Sequence, residues 1–237
     1  GNPSADDAKS AEVRQRALIN AKRNGYQRLL QTAKAIQLTD KKTVAQYVEN
    51  RDKVLSKVEE MFKNARVETT RYRSDGTVEI VREISLSGAF SQLMLPEAIV
   101  QLDMKKMGKE TPDADTPVYT GLVVDARGVS VKPALCFKIF DESGQEVYGP
   151  AYVSREYAVQ RGLCEYRTEI ADIKESERVG DEPLIVKALN PLTPGSPHIV
   201  ISNTDAGRLR SAVDHLFLLR KCRVMVIADT QAAGEEG

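Results

Sequence analysis

The sequence predicts an α+β protein of two α/β domains, and three observations carry that prediction. Two amphipathic helical patterns run directly into alternating β-segments that meet at Ser74-Asp75-Gly76. A polar, acidic, proline-bearing stretch, Gly108 to Pro117, divides the chain. A strand, a helix and a near-continuous apolar strand then close the second half between Leu184 and Ala228. The first domain (8–107) reads as helix, helix and hairpin on a small antiparallel sheet. The second (118–229) reads as a mixed sheet ending in a βαβ unit, with 108–117 as linker and 230–237 as a disordered tail.

In the first domain, residues 8–36 predict a long helix. Ala17, Ala21, Leu29, Leu30, Ala33 and Ile36 fall on one stripe with Arg and Lys between them. Gly25 interrupts it at a cost of about 1 kcal/mol relative to Ala. A second helix is expected from Thr43 or Val44 to about Asn64. Thr43 and Gln46 have capping-box spacing, and Val44, Tyr47, Val48, Val54, Leu55, Val58, Met61 and Phe62 form its apolar face. In the hairpin, Val78, Ile80, Ile84 and Leu86 alternate with Glu79, Glu83 and Ser85, so one face packs and the other meets water or a partner. The Asp75-Gly76 pair predicts a tight primed turn. A short helix is expected over 97–107.

The second domain offers strands at Val118–Val124, Ala134–Phe140 and Gln145–Tyr148, with a turn at Asp141-Glu142-Ser143-Gly144. A helix is expected from Ser154 to Arg161, and 173–183 reads as a charged loop. Leu184–Leu189 and His198–Ser202 are further strands. Asn203 is the expected N-cap of a helix through Leu219, with Ala206, Leu209, Val213, Leu216 and Phe217 inward. Cys222–Ala228 follows as a strand buried on both faces, which reads as a βαβ crossover with parallel strands.

Composition excludes some functions. The chain has 237 residues, 34 Lys+Arg and 34 Asp+Glu, so its formal net charge is zero. That removes the usual electrostatic argument for nucleic acid or an anionic lipid surface. No apolar run reaches the roughly 18 residues of a membrane-spanning helix. The opening Gly1–Asp7 without an initiator Met reads as a scar of tag removal, with any targeting segment cut away upstream.

Chemistry is hard to find in the sequence. Cys136, Cys164 and Cys222 are widely spaced, so no CxxC pair serves zinc or redox work. A single bridge among them stays open, and Cys136 and Cys222 read as buried, inert thiols. His198 and His215 lack partners at metal-ligand spacing, and His215 reads as a helix-surface or packed core residue. Gly121–Gly128 (GLVVDARG) lacks the GxGxxG geometry, and no P-loop or GxSxG elbow is present. Absence of Trp and 5% aromatic content disfavour stacking platforms for sugars or bases. Arg66, Arg71 and Arg73 lie on a strand whose hairpin also carries Glu68, Glu79 and Glu83, so cross-strand pairing is expected. Arg208, Arg210 and Arg220–Arg223 read as surface and helix-dipole cations. No catalytic, cofactor-binding or metal-ligating residue is assigned, and no cofactor is expected.

Two blocks carry a family resemblance. The first is Ala17 to Pro96, above all ARVETTRYRSDGTVEIVREISLSGAFSQLMLP. It resembles the lipoprotein-20-like domain of bacterial envelope lipoproteins, which is related to flagellar assembly protein T. The second, Tyr119 to Asp229, includes YTGLVVDARG, PALCFKIFDESGQEVYGPAYVSREYA, VISNTDAGRLRSA and KCRVMVIAD. It is similar to the C-terminal half of larger secreted members from Gram-negative bacteria. The resemblance implies export to the periplasm, with outer-membrane attachment through a lipid anchor in a removed N-terminus, although no Cys stands near the start of this chain. It also implies other envelope proteins as partners and a role in assembling an envelope or flagellar structure. It transfers no catalytic residue. The expected function is therefore non-enzymatic protein binding. The alternatives are a periplasmic small-ligand sensor using the cleft between domains and, behind it, a hydrolase.

Overall fold

The computed structural model describes residues 5–95 and 117–229. The helix expected over 97–107, nearly all of the 108–117 linker and the 230–237 tail lie outside the described residues. The fold is α+β, with 39% helix and 22% strand. The chain forms two compact units, residues 1–36 with 43–86, and residues 37–42 with 87–237. Residues 37–42 join the second unit because their backbone is bonded there. Leu135 N–H donates to Gln37 O at 3.0 Å and Cys136 N–H to Leu38 O at 2.8 Å.

In the first unit, α1 (Ala5–Ala35) is one continuous helix through Gly25. The glycine is tolerated because the hairpin approaches there: a Cβ at Gly25 would stand 2.9 Å from Ile80 Cδ1 and 3.3 Å from Arg82 Cδ. A large side chain would push the two apart. Gly25→Leu is expected to destabilise the unit by about 2 kcal/mol, against the gain a helix normally draws from losing a glycine. A thermal melt unchanged or raised relative to wild type would contradict that contact.

The second helix is split. α2 (Val44–Val48) carries the full Thr43/Gln46 capping box, and α3 (Asp52–Lys63) follows a break at Glu49–Arg51. Asn50 competes poorly for helix, and Arg51 lays its guanidinium 3.9 Å from the Tyr47 ring centroid. Val44, Val48, Val58 and Phe62 are still buried, as are Ala33 and Ala65.

Strands β1 (Arg66–Tyr72) and β2 (Val78–Glu83) pair antiparallel, with Tyr72 opposite Val78. The turn is a three-residue loop, not the two-residue primed turn expected. Gly76 N–H donates to Arg73 O, Arg73 N–H to Thr77 O, and only Gly76 takes positive φ, at 84°. A type I turn followed by a left-handed glycine needs one such residue, whereas a type I′ turn needs two. Asp75 accepts from Thr77 N–H at 2.9 Å and fastens the loop.

The second unit holds two four-stranded sheets. The first, β6-β10-β3-β7, is wholly parallel: β6 (Glu165–Arg167), β10 (Val224–Ile227), β3 (Leu122–Asp125) and β7 (Leu184–Lys187). β10 is buried along its whole length, as continuous apolar character requires. The second sheet, β5-β4-β9-β8, is mixed: β5 (Glu146–Tyr148), β4 (Ile139–Asp141), β9 (Ile199–Ile201) and β8 (Asn190–Pro191).

The last helix departs from the sequence reading in three ways. Ser202, not Asn203, is the N-cap, accepting from Asp205 N–H at 3.0 Å. The helix breaks into α6 (Asn203–Arg210) and α7 (Val213–Arg220). The break rotates the inward stripe to Ala212, His215, Leu216 and Leu219, leaving Phe217 outside. β9 pairs with β4, so the strands before and after the helices lie in different sheets, and β10 instead takes β3 and β6 as parallel neighbours.

α4 (Ala89–Met94) also belongs to this unit, tied to α5 (Arg155–Arg161) by Gly88 N–H donating to Val159 O at 2.6 Å. Ser154 occupies the α5 N-cap position without a capping side-chain bond.

Candidate functional site

The hairpin of the first unit is one region open to a partner. Burial alternates along β2, with Val78, Ile80 and Arg82 partly covered and Glu79, Val81 and Glu83 outside. Val81 is 49% exposed and Tyr72 60%. The register sets Arg71 opposite Glu79 and Arg66 opposite Glu83, and Arg73 closes an ion pair with Glu79. Of the hairpin arginines, Arg73 spends its charge across the strands. Among the described residues, β1 and β2 pair only with each other, so both outer edges keep unpaired backbone groups. Arg82 is the exception to the apolar inner face. Its guanidinium donates to Lys63 O at 3.0 Å and Ala65 O at 3.2 Å, at the C-terminal end of α3, where a cation suits the dipole.

Beside the hairpin tip, α1 and the turn enclose an open groove of about 670 Å³. Ala11, Arg14, Gln15 and Leu18 form one wall; Tyr72, Arg73, Gly76 and Thr77 belong to the other. The sequence reading missed this site. Its one signal was helical spacing: 11, 14, 15 and 18 lie on the stripe that reaches the hairpin at Gly25.

In the second unit, groups that suggest chemistry serve the fold. His198 Nδ1 accepts from Lys138 N–H at 3.2 Å, which leaves the proton on Nε2, 3.7 Å from Asp40 Oδ1. A ring whose acceptor nitrogen already holds a main-chain N–H is poorly placed to take a proton from a nucleophile. His215, 2% exposed, lies between two carbonyls, with Nε2 2.9 Å from Pro117 O and Nδ1 3.1 Å from Arg208 O. It is a packed core residue, with its ring centroid 4.8 Å from that of Tyr119. The three cysteines are free, and burial pushes the thiols of Cys136 and Cys222 up to about 11 and Cys164 up to about 12. At neutral pH they stay protonated and unreactive.

Asp141 is 3% exposed. Burial would raise its pKa, but the Ser143 hydroxyl, Arg210 and the Gln145 N–H outweigh it and hold the carboxyl down to about 2. Arg210 Nη1 stands 2.8 Å from Asp141 Oδ2, so this arginine is an internal partner and not the surface cation expected. Two glycines of the GLVVDARG stretch are also structural. A Cβ at Gly121 would lie 2.6 Å from Val179 O, and Gly128, at φ 76°, donates its N–H to Asp229 Oδ2 at 2.8 Å.

These groups set the acid response. Burial, opposed by Asp40, lowers the His198 pKa below its ordinary 6.5, with Lys138 and Glu146 also facing the ring. The unfolded chain then binds the proton more readily. Stability is full above about pH 6.5 and falls as pH drops through the folded value. Asp141, also depressed, contributes stability that is present above about pH 4 and lost towards pH 2. His198→Asn sets an amide oxygen near the Nδ1 position without a titrating ring. It is expected to flatten urea stability as pH drops below about 6.5 while leaving the loss from about pH 4 towards pH 2 intact. Identical pH profiles for variant and wild type would refute the assignment.

Among the described residues, no group of three or more His, Cys, Asp or Glu is placed to hold a metal ion. None of the described helices is long and apolar enough to cross a membrane.

Residues 121–230, just under half of the chain, match a family model described as Treponema pallidum Tp0624, second domain. No curated protein matches the chain. The matched stretch contains all four strands of the parallel sheet and all four of the mixed sheet.

Proposed function

We propose that the chain is a non-enzymatic protein of the bacterial cell envelope, periplasmic or attached to the outer membrane, that works by binding other envelope proteins. One observation carries this reading: the β1–β2 hairpin, with both edges unpaired among the described residues and Val81 and Tyr72 exposed. An unpaired edge offers N–H and C=O groups to an added strand, and exposed apolar side chains beside it give that strand something to bury. The raised pKa of the three thiols and the engaged ring nitrogens of both histidines favour binding over catalysis. The envelope setting rests on the resemblance of 17–96 to lipoprotein-20-like domains, and assembly of an envelope or flagellar structure is the role that resemblance favours.

Crosslinking in native envelopes, followed by identification of the bound proteins, tests the proposal. Reproducible recovery of envelope proteins supports it. Recovery of none, together with a tightly held metabolite in the purified protein, would replace it with a small-ligand sensor.

A further inference from the structure

We infer that the groove between the first half of α1 and the hairpin tip seats an acidic, extended segment of a partner protein, with a carboxylate at Arg14 and an apolar side chain beside Leu18. The inference rests on the protein-binding reading and adds the chemical class of the partner.

The groove continues a packed interface that the chain itself leaves unfilled. At Gly25 the helix and β2 are in direct contact, because no side chain stands between them. Two turns towards the N-terminus, the same helical stripe carries Leu18, Gln15, Arg14 and Ala11, and there the groove of about 670 Å³ opens. That volume falls in the range of roughly 300–1,000 Å³ typical of ligand sites. Its apolar contacts are Leu18 on the helix wall and Tyr72, 60% exposed, on the hairpin wall.

Charge selects the occupant. Net neutrality conceals an asymmetry between the units. Residues 1–36 and 43–86 hold 15 Lys/Arg against 11 Asp/Glu, while the remainder holds 19 against 23, giving +4 and −4. Within the groove, Arg73 is already engaged by Glu79. Elsewhere on α1, outside the lining, Arg16 is taken by Glu12 at 2.7 Å. Arg14 has no ion pair among the described residues. An acidic segment meets this charge and a basic one is repelled. The free hairpin edges alongside favour an extended segment over a helix, since a strand can add its backbone bonds there. Nucleic acid fits less well, because Tyr72 is the one aromatic side chain in the lining and Asp75 sits at the tip.

The test places the photoreactive residue p-benzoylphenylalanine at Gln15, in the groove, or at Val81, on the outward hairpin face, in the native envelope. Each is run with Arg14, Arg14→Lys and Arg14→Glu, and circular dichroism checks that every variant keeps wild-type helicity. Adducts at Gln15 are expected to map to acidic stretches of a partner. Their yield should fall about fivefold or more with Arg14→Glu and at about 0.5 M salt, and persist with Arg14→Lys. Adducts at neither position would overturn the protein-binding reading and this inference together. Adducts at Val81 alone would leave the reading standing and remove the groove. Gln15 adducts to a non-acidic segment, to nucleic acid or to a second copy of this chain, or adducts indifferent to Arg14→Glu, would overturn the partner class.

Discussion

Arg178→Ala is expected to lower the stability of the second unit by about 3 kcal/mol, a shift of about 1.5 M in the urea midpoint at the slope usual for domains of this size. The guanidinium collects carbonyls from the ends of two helices. Nη1 donates to Arg161 O at 2.7 Å and Nη2 to Gly162 O at 2.8 Å, both at the end of α5. Nε donates to Cys222 O at 3.0 Å, just past the end of α7. Helix C-termini leave carbonyls without intrahelical donors and carry partial negative charge, so one cation serves both requirements twice. Cys222 adds to the need, because it holds positive φ (55°) without being glycine, a conformation the surroundings must enforce. Alanine removes all three donors at once and leaves those oxygens to find water in a partly closed site. Lysine keeps the charge but not the fork, so Arg178→Lys should recover less than half of the loss. A shift below about 1 kcal/mol for the alanine variant would mean that solvent already satisfies these carbonyls.

Nothing local in the sequence announced that role. The segment 173–183 reads as a charged loop, and Arg178 is one charge among several until the fold brings 161, 162 and 222 to it. Arg210 is the same case: its partner Asp141 lies 69 residues away, in a turn that reads as solvated. By contrast, features encoded within a few residues were legible. The Thr43/Gln46 box, the hairpin at 74–76, the turn at 141–144 and the apolar run of β10 all formed where expected. The βαβ reading failed at an intermediate range. Strand–helix–strand order was correct, but the break at Ser211–Ala212 changed which residues face inward, and sheet membership was decided by β4, some 60 residues upstream. The groove was not legible. The stripe read from the sequence, Ala17 to Ile36, holds none of its helix-wall residues, and the hairpin wall depends on which face of α1 the hairpin meets, which the close approach at Gly25 shows only in the fold.

Gly121→Ala is expected to cost at least about 3 kcal/mol, although it adds a single methyl group and sits at the start of a strand where alanine is ordinarily harmless. The added Cβ would meet Val179 O at 2.6 Å, Val179 Cα at 2.7 Å and Val179 Cβ at 2.8 Å, two of them main-chain atoms that cannot rotate away. Relief by moving Val179 is blocked by its surroundings. Thr120 Oγ1 donates to Val179 O at 2.7 Å and accepts from Glu182 N–H at 3.0 Å, which clamps the 179–182 backbone onto the entrance of β3. Gly180, at φ 73°, turns the chain under Thr120 and is itself within 2.8 Å of that side chain at the Cβ position. Val179 is fully buried with Val123, Ile173, Met225 and Ile227, so pushing it outward opens the packing against the parallel sheet. Relief by moving β3 is no easier, since that strand is bonded to β10 on one side and β7 on the other. The sequence invites comparison of Gly121 and Gly128 with a dinucleotide loop, but the close approach at Gly121 is made by the chain's own backbone, where such a loop would admit a phosphate. Thermal unfolding of Gly121→Ala decides between the two. A stable variant would show that the space is open to something other than Val179, and a melt lowered by about 6 °C or more would show that it is filled.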